Sequence, residues 1–497
     1  MNNNEVLLEF LRDPKGLLIA PAGHGKTYSI AQMVSLVEAD KPQLILTHTH
    51  AGVASLKKKF KEHRIHPKQY NIETICGFVQ KYIISLCKLS EIPVQIQKDK
   101  HYFDGLISLA IPLFAKPAVR RIIKDSYSHL YVDEYQDCTL SQHNLIMLLA
   151  EELPTHILGD PLQGIFDFAK PIVDFAEHLS SFRNYDFLQT PWRWRNGGQK
   201  ALGELILDMR KSLLDGTGIH LTTNAEAGYF IHQVESSQRN LFFANELSPF
   251  LRNLSEENNS ILIIFPSYQE DKEAPKGTIS DRCTAKPQID IRNEFTLIEA
   301  IDDPSYYKCA ETLDDLLEKL PGSQKPYKEL LGILKDLSFK KSDITDWISE
   351  AGVKKKRDRT KVIKCEALSN IVCTVIKSPS YSALLKLFTM LKYDLKWRAK
   401  RADVFSSVFS CLKSANENDT LVLDEMKKYK NRIRRMGRRI EGKCIGTTLL
   451  TKGLEFDVVV LIEADKIKSS KDFYVAISRA CKELHIFTST TTLHFEK

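Results

Sequence analysis

A glycine-rich turn near the amino terminus carries the clearest chemistry in the sequence. It follows a short apolar run and precedes a helical pattern, and it reads Ala20, Pro21, Ala22, Gly23, His24, Gly25, Lys26 and Thr27. Glycines in such a turn let backbone N–H groups close around phosphate oxygens, a lysine reaches the β- and γ-phosphates, and a threonine hydroxyl meets Mg²⁺. The turn therefore predicts a P-loop that binds ATP and Mg²⁺.

An acidic segment, Asp133–Asp137, follows the apolar run Leu130–Val132. A carboxylate at a strand end near a P-loop holds Mg²⁺, and a second one beside it can orient or deprotonate the attacking water. Taken alone, such a segment is more often a solvated turn. Next to a P-loop it predicts that Asp133, with Thr27, holds the metal and that Glu134 acts on water.

Short apolar runs that alternate with helical stretches must position these residues. Such runs are Leu17–Ala20, Gln43–Leu46, Leu130–Val132 and His156–Leu158. This alternation predicts a parallel sheet that is covered by helices on both faces. Further strands are expected at Ile261–Phe265, Val458–Leu461 and Leu484–Phe487, which makes a second α/β portion.

The pattern along the chain predicts three regions. Residues 1–186 form a first α/β domain with a small helical insertion at about 80–126. Residues 187–270 and 441–497 form a second one, and residues 271–440 are a largely helical insertion between its two parts.

Composition limits the class of protein. Of the 497 residues, 43% are hydrophobic and 27% are charged, and the net charge is +7, which is ordinary for a globular protein. The ten cysteines include no CxxC pair, which disfavours zinc and disulfide frameworks. With neither a signal peptide nor a membrane span in the pattern, we expect a cytoplasmic protein that does not bind membranes.

Several segments follow one another in the order found in UvrD/PcrA/Rep-type superfamily 1 helicases. They are Ala20–Thr27, Thr47–Ala51, Thr74–Phe78, Asp133–Asp137, Gly159–Phe166, Pro191–Arg193, Thr451–Phe456 and Tyr474–Ala480. The sequence therefore resembles this family. The resemblance implies two RecA-like P-loop motor domains, each with a largely helical insertion.

The resemblance also implies a role for individual residues. Gln163 and Arg193 would contact the γ-phosphate, and Arg479 would act as an arginine finger. With Lys26, Asp133 and Glu134 these complete the expected catalytic set. Trp192 would lie against adenine, and Glu455 would belong to the nucleotide site. The family's adenine-reading glutamine has no counterpart between Glu5 and Gly16, so strict preference for ATP is not expected.

Single-stranded DNA would meet a further set of residues by the same resemblance. They are His48, Thr49, His50, Phe78, Phe166 and Phe168. The stretch Lys427–Lys443 holds nine lysines or arginines and one acid. It is either a solvated helix face or a contact with phosphates, and the second interpretation assigns DNA contacts to Arg434, Arg435, Arg438 and Arg439.

The activity implied is that of an ATP-dependent translocase or helicase on single-stranded and tailed duplex DNA, moving 3′ to 5′. The compact length resembles the helicase subunit of Gabija-type antiviral defence systems, whose partner is a nuclease of the ATPase–TOPRIM type. Two other classes stay open: a free-standing DNA repair helicase, and a DNA-stimulated ATPase that acts as a sensor with little unwinding.

Overall fold

A computed structural model describes residues 3–87, 102–166, 171–234, 246–266, 295–298, 303–399, 401–436 and 440–496. The chain divides into two compact units. The first comprises residues 1–271, 289–295 and 436–497, and the second comprises residues 272–288 and 296–435.

The first unit contains a parallel sheet of six strands. Its strands are β1 (Lys15–Ile19), β2 (Gln43–Thr47), β3 (Tyr70–Thr74), β4 (Leu130–Val132), β5 (Thr155–Gly159) and β6 (Arg183–Tyr185). They lie side by side in the order β3-β2-β4-β5-β1-β6, and every pair that they form is parallel.

Alternate residues of the central strands face opposite sides of this sheet, and both sides are packed. Leu17 and Leu46 belong to one apolar cluster, while Leu18 and Ile45 belong to another. Because successive side chains of a strand point to opposite faces, a strand covered on both sides must be apolar throughout. This is why the continuous runs in the sequence identified the strands.

The register of the sheet brings three functional segments to one edge. Ile19 pairs with Gly159, and Val132 pairs with Ile157. The strands β1, β4 and β5 therefore end together. The P-loop, the acidic segment and the segment that begins at Asp160 all leave the sheet at this edge, where ligands of parallel α/β sheets bind.

The same unit contains a second parallel sheet. It is formed by β8 (Tyr229–Gln233), β9 (Ile261–Phe265), β13 (Lys443–Thr447), β14 (Phe456–Leu461) and β15 (Ala480–Thr488), in the order β13-β9-β14-β15-β8. All of these pairs are parallel. A short antiparallel pair, β7 (Ile219–His220) with β16 (Thr492–Leu493), lies outside the sheet.

Helices separate the strands of the first unit. They are α1 (Asn3–Arg12), α2 (Lys26–Leu36), α3 (His50–Glu62), α4 (Ile75–Leu86), α5 (Tyr102–Phe114), α6 (Pro117–Ser126), α7 (Leu140–Ala150), α8 (Phe175–His178), α9 (Trp192–Asn196), α10 (Lys200–Asp215) and α11 (Ser248–Glu257). Two more, α19 (Thr448–Thr451) and α20 (Ser470–Ile477), belong to the second sheet.

The second unit is largely helical. Its helices are α12 (Pro304–Lys319), α13 (Pro326–Asp336), α14 (Lys341–Trp347), α15 (Arg359–Lys377), α16 (Tyr381–Thr389), α17 (Ala402–Asn418) and α18 (Val422–Met436). It also has a two-residue strand β10 (Thr296–Leu297) and a small hairpin of β11 (Ile348–Ser349) and β12 (Gly352–Val353). One apolar cluster, which includes Leu313, Phe388 and Val408, forms its core.

The α/β class, the parallel sheets and the strands expected from the apolar runs are confirmed. Both sheets lie in one compact unit, so the limits proposed between the two motor domains stay a prediction. Within the described residues, no helix combines the length and the apolar character needed to cross a bilayer.

A half-buried carboxylate joins three segments of the second unit, and we predict that its removal destabilises that unit. Asp314 accepts hydrogen bonds from the Tyr381 hydroxyl at 2.7 Å and from the backbone N–H groups of Val422 and Leu423, each at 3.0 Å. Asp314→Ala leaves these donors unpaired and should cost about 1–3 kcal/mol in urea denaturation.

The neighbouring residue Asp315 provides the matched control. It is exposed and forms only a surface pair with Lys319, four residues away. Such pairs contribute about 0.3–0.5 kcal/mol, so Asp315→Ala should be nearly neutral. Equal losses in the two variants would contradict the role given to Asp314.

Candidate nucleotide and nucleic-acid site

Two glycines of the P-loop are required by backbone conformation. Gly23 has a φ of 72° and Gly25 a φ of 89°, in the left-handed region that only glycine adopts readily. A Cβ on Gly23 would also lie 2.8 Å from Cβ of Arg193. Gly25 caps α2, so the free N–H groups of the first helical turn face the end of the loop and provide an anion site.

The ammonium of Lys26 lies inside the loop. It donates hydrogen bonds to the carbonyl oxygens of Ala20 at 2.6 Å and Pro21 at 3.2 Å, and the residue is 8% exposed. A charged phosphate oxygen is a stronger acceptor for an ammonium than a neutral carbonyl. The side chain is therefore placed where it can exchange these bonds for a nucleotide's phosphates.

The acidic segment begins with two carboxylates in different environments. Asp133 is buried, and this burial, together with the charge of Glu134, raises its pKa to about 7 against the opposing effect of Lys26. Its carboxyl also accepts a hydrogen bond from the Thr27 side chain. Oxygen ligands of this kind suit Mg²⁺, whose charge would restore ionisation of the carboxyl. The donor set at Thr27 and Asp133 thus fits the expected metal.

Glu134 has an unusual backbone conformation. Its φ of 56° and ψ of 42° lie in the left-handed region, which costs a non-glycine residue free energy and is typical of functional sites. A short hydrogen bond from Gln136 to its carboxylate fixes the side chain. The segment thus holds a carboxylate beside Asp133 in a single orientation, as a residue that orients water requires.

The segment after β5 is built around the buried carboxylate of Asp160. One oxygen accepts from the Gln163 side chain at 3.0 Å, and the other accepts from Arg210 of α10 at 2.9 Å. Although burial opposes ionisation, Arg210 and Lys26 hold the pKa of Asp160 below its usual value. The side-chain amide of Gln163 is therefore fixed through a charged pair.

A second charged pair holds the same segment. Nζ of Lys452 lies 2.5 and 2.7 Å from the two carboxylate oxygens of Asp137 and 2.5 Å from the backbone oxygen of Gln163. Burial raises the pKa of Asp137, and the ammonium opposes this shift. Sequence reasoning assigned no role to Lys452, although it lies in a matched motif, and none to Arg210, which lies in no motif.

Helix α9 covers the P-loop with two residues that were expected at the nucleotide. The Trp192 ring would lie 3.4 Å from a Cβ on Gly25, and this residue is 40% exposed. Arg193 donates to Glu455 at 2.6 Å and makes a short bond to the backbone oxygen of Ser478. Although desolvation opposes it, the guanidinium lowers the pKa of Glu455. Trp192, Arg193 and Glu455 are thus brought together beside the P-loop.

Arg479 is buried, and its hydrogen bonds stay within the second sheet's own segments. It donates to the backbone oxygens of Val475 and Leu454 and to the Ser478 hydroxyl. Desolvation and the nearby Arg193 lower its pKa to about 10, so it is still charged at neutral pH. One turn away, the Tyr474 hydroxyl accepts from the backbone N–H of Ala22 at 3.0 Å, which joins α20 directly to the P-loop.

One of the residues expected to contact DNA is placed elsewhere. Phe78 is fully buried and packs against the rings of Tyr82, Phe114 and Tyr127. Its prediction was wrong, because Phe78 shares the core-facing side of α4 with Ile75, Val79 and Ile83.

Other residues expected at DNA differ in exposure. Thr49 and His50 are exposed at the start of α3, and Phe166 is half-buried. The His48 Nε2 is buried without a hydrogen-bond partner, and burial and Lys452 lower the pKa of His48 to about 4. Phe168, Arg438 and Arg439 lie outside the described residues, as do the side chains of Arg434 and Arg435 on α18.

A cavity of about 650 Å³ adjoins the P-loop. Pro21 and His24 line it on the side of the loop, and Arg210 and Lys211 line it on the side of α10. Desolvation lowers the pKa of His24 to about 4. The cavity thus has polar walls from both sides of the meeting between the sheets.

Comparisons with known proteins agree with this geometry. The family described as the UvrD/REP helicase N-terminal domain matches residues 92–180, which include the acidic segment and Gln163 but not the P-loop. An arterivirus nonstructural protein 10 helicase bound to DNA aligns over 97% of this chain and 63% of that chain at 10% identity. Its TM-score of 0.34 is too low to bear on fold or function.

Three curated relatives are similar over part of the chain. An ATP-dependent helicase/nuclease of Syntrophomonas wolfei is 36% identical, in one of its subunits, over 27% of this chain and 12% of that protein. The RecBCD enzyme subunit RecB of Buchnera aphidicola is 27% identical over 26% of this chain and 12% of that protein. The ATP-dependent DNA helicase PcrA of Staphylococcus aureus is 28% identical over 28% of this chain and 21% of that protein.

The chain therefore spans only a small part of the length of the curated relatives it matches. Two of these three relatives are described as helicases or as parts of a helicase/nuclease. With the family match at residues 92–180 and the ordered motifs on both sides of it, the chain is a UvrD-like superfamily 1 helicase by relationship.

Proposed function

We propose that the chain is an ATP-dependent motor that acts on single-stranded and tailed duplex DNA. The observation that carries the proposal is the pair of buried ionic contacts Arg210–Asp160 and Lys452–Asp137. They tie the segments that follow β4 and β5 to residues that pack with the second sheet. A nucleotide bound at the P-loop can therefore be sensed by both sheets.

The residues of the first sheet divide the chemistry among themselves. Lys26 and the N–H groups of the P-loop bind and orient the phosphates. Thr27 and Asp133 would hold Mg²⁺, which neutralises charge on the transferring phosphoryl group. Glu134 would orient the attacking water and accept its proton. Gln163 lies one hydrogen bond from Asp160 and would contact the γ-phosphate.

The second sheet would supply positive charge in the closed state. Arg193 is held by Glu455 at 2.6 Å, beside the loop that receives the phosphates. Arg479 stands behind it and repels it electrostatically. Such guanidinium groups act by stabilising charge that develops in the transition state. Their roles stay predictions.

On the DNA side, Phe166 offers a half-buried ring that would stack on a base, since stacking tolerates any base sequence. Cycles of nucleotide binding and hydrolysis would then move the motor along the strand. The 3′-to-5′ direction comes only from the family resemblance. It is measured by comparing unwinding of 3′-tailed and 5′-tailed duplexes.

A nuclease is a reasonable partner for this motor. Relatives of the chain are described as subunits of a helicase/nuclease and of an exonuclease/helicase, and this favours a joint task. An ATPase–TOPRIM nuclease in antiphage defence is one form of it, while a free-standing repair helicase and a sensor ATPase are the alternatives. Recovery of a nuclease with the tagged chain from its native host separates these.

We predict that Lys26→Met and Glu134→Gln both abolish hydrolysis, for different reasons. Lys26→Met removes the charge that binds phosphates, so nucleotide affinity should fall with turnover. Glu134→Gln should bind nucleotide and lose about 10²–10⁴-fold in turnover, the usual contribution of a general base. Fluorescent-nucleotide titration and phosphate release measure the two quantities.

Glu463 gives a matched control for Glu134. It follows β14 as Glu134 follows β4, and its φ of 52° and ψ of 50° are nearly the same. It pairs with Lys466 instead of standing beside a P-loop. Glu463→Gln should keep wild-type turnover, and wild-type turnover in Glu134→Gln would refute the assignment.

Phe166 should contribute to DNA-dependent turnover. Because base stacking contributes about 1–3 kcal/mol per base, Phe166→Ala should weaken the affinity for a single-stranded oligonucleotide by about 5- to 150-fold. Fluorescence anisotropy measures this affinity. Phe230 on β8 is a half-buried ring of the second sheet, and Phe230→Ala should leave it unchanged. The same affinity in both variants would show that Phe166 only packs.

The acidity of Asp133 predicts a pH-dependent stability. Its pKa is about 7 in the folded chain, above the ordinary value of 3.8, so the folded state keeps a proton that the unfolded state releases. Ionisation of this residue therefore opposes folding increasingly as the pH rises through this interval, and the cost is constant above it. Without metal, Asp133→Asn should raise the Tm more at pH 8 than at pH 5.

Asp160 is the matched opposite, since its pKa is lowered by Arg210 and Lys26. Asp160→Asn should lower the Tm, because it leaves a buried guanidinium without its partner. A Tm difference between Asp133→Asn and the wild type that does not change with pH would contradict the raised pKa of Asp133.

A further inference from the structure

A single ammonium group contacts both functional segments of the first sheet. Lys452 lies between α19 and β14, and its side chain is only 10% exposed. Its Nζ donates to both oxygens of Asp137 and to the backbone oxygen of Gln163. An ammonium has three N–H donors, so these three acceptors use its full capacity.

The same ammonium lies beside the ring proposed to stack on DNA. Its Nζ is 4.9 Å from the centre of the Phe166 ring, within the range of a cation–π contact. Phe166 is three residues after Gln163, and Asp137 is three residues after Glu134. Lys452 is therefore the common neighbour of a base-stacking ring, a γ-phosphate contact and the segment of the water-activating acid.

We propose that Lys452 is a positioning residue that couples base stacking at Phe166 to the geometry of Gln163 and Asp137, and hence to the rate of hydrolysis. The inference rests on the proposed function. Because all three donors are engaged, the ammonium cannot follow a displaced ring without lengthening a bond to Asp137 or Gln163. A strand that orders the ring thereby orders the catalytic segments.

Arg210 shows what a contact without this role looks like. It also bridges to the first sheet through a buried carboxylate, Asp160, which holds Gln163. The ring nearest to its guanidinium is Tyr474, 5.8 Å away, and not Phe166. Both cations thus stabilise the meeting of the sheets, and Lys452 alone of the two also touches the ring on the DNA side.

The experiment measures hydrolysis by the full chain with and without a saturating single-stranded oligonucleotide. Lys452→Met keeps an apolar stem of similar length and removes the charge. The ratio of stimulated to basal turnover should fall about tenfold, a typical size for coupling between two sites. Lys482 forms an exposed pair with Asp457 at 3.0 Å on the same sheet, and Lys482→Met should keep the wild-type ratio.

A double variant separates positioning from simple support. Lys452→Met leaves Asp137 buried without its cation, which can prevent folding. Lys452→Met/Asp137→Asn removes both charges, so its Tm should exceed that of Lys452→Met while the stimulation ratio stays low. A wild-type ratio in either variant would overturn the inference and reduce Lys452 to a structural support.

The wild-type chain keeps the two proposals apart. If the oligonucleotide stimulates the wild type, only the variants decide the role of Lys452. If the wild type hydrolyses nucleotide without any response to DNA, the proposed motor function fails and the coupling inference fails with it.

Discussion

Two carboxylates of the first sheet are buried where the two sheets meet, and neither could be ionised there alone. Asp137 is paired with Lys452, and Asp160 is paired with Arg210. Removing one partner from a buried pair typically costs about 3–5 kcal/mol, because the remaining charge stays desolvated. Each carboxylate follows a strand of the first sheet, whereas Lys452 precedes β14 and Arg210 lies on α10, which packs against β15. The geometry of Gln163, which both pairs hold, therefore depends on the second sheet being in place.

This dependence explains how far the sequence could predict the site. Residues close in sequence and carried by adjoining strand ends were accessible: the P-loop, Asp133 and Glu134 follow apolar runs, and parallel strands end at one edge. The partners of Asp137 and Asp160 were not, since Lys452 and Arg210 come from distant parts of the chain. Patterns of type and spacing report local structure and say nothing about which distant cation a buried acid meets.

Phe78 and Phe166 show a second limit of the same kind. Both lie in segments that resemble DNA-contacting motifs, and residue type cannot tell a core ring from a stacking one. Phe78 occupies a position on α4 that repeats at Ile75, Val79 and Ile83, so helical periodicity indicates the core. Phe166 lies after a short turn at Pro161–Gln163, outside any helix or strand, where no periodicity directs it inward. Attention to the period would have separated the two.

The two sheets also use one local conformation for different purposes. Glu134 and Glu463 each follow a strand, adopt a left-handed backbone and precede a short 3-10 turn. The strain is thus a feature of the strand end and does not by itself make a catalytic acid. Glu134 has the neighbouring carboxylate of Asp133 and the lysine of the P-loop close by, whereas Glu463 pairs with Lys466 three residues later. What distinguishes the candidate catalytic residue is the strand next to it, which delivers a phosphate-binding turn to the same edge of the sheet.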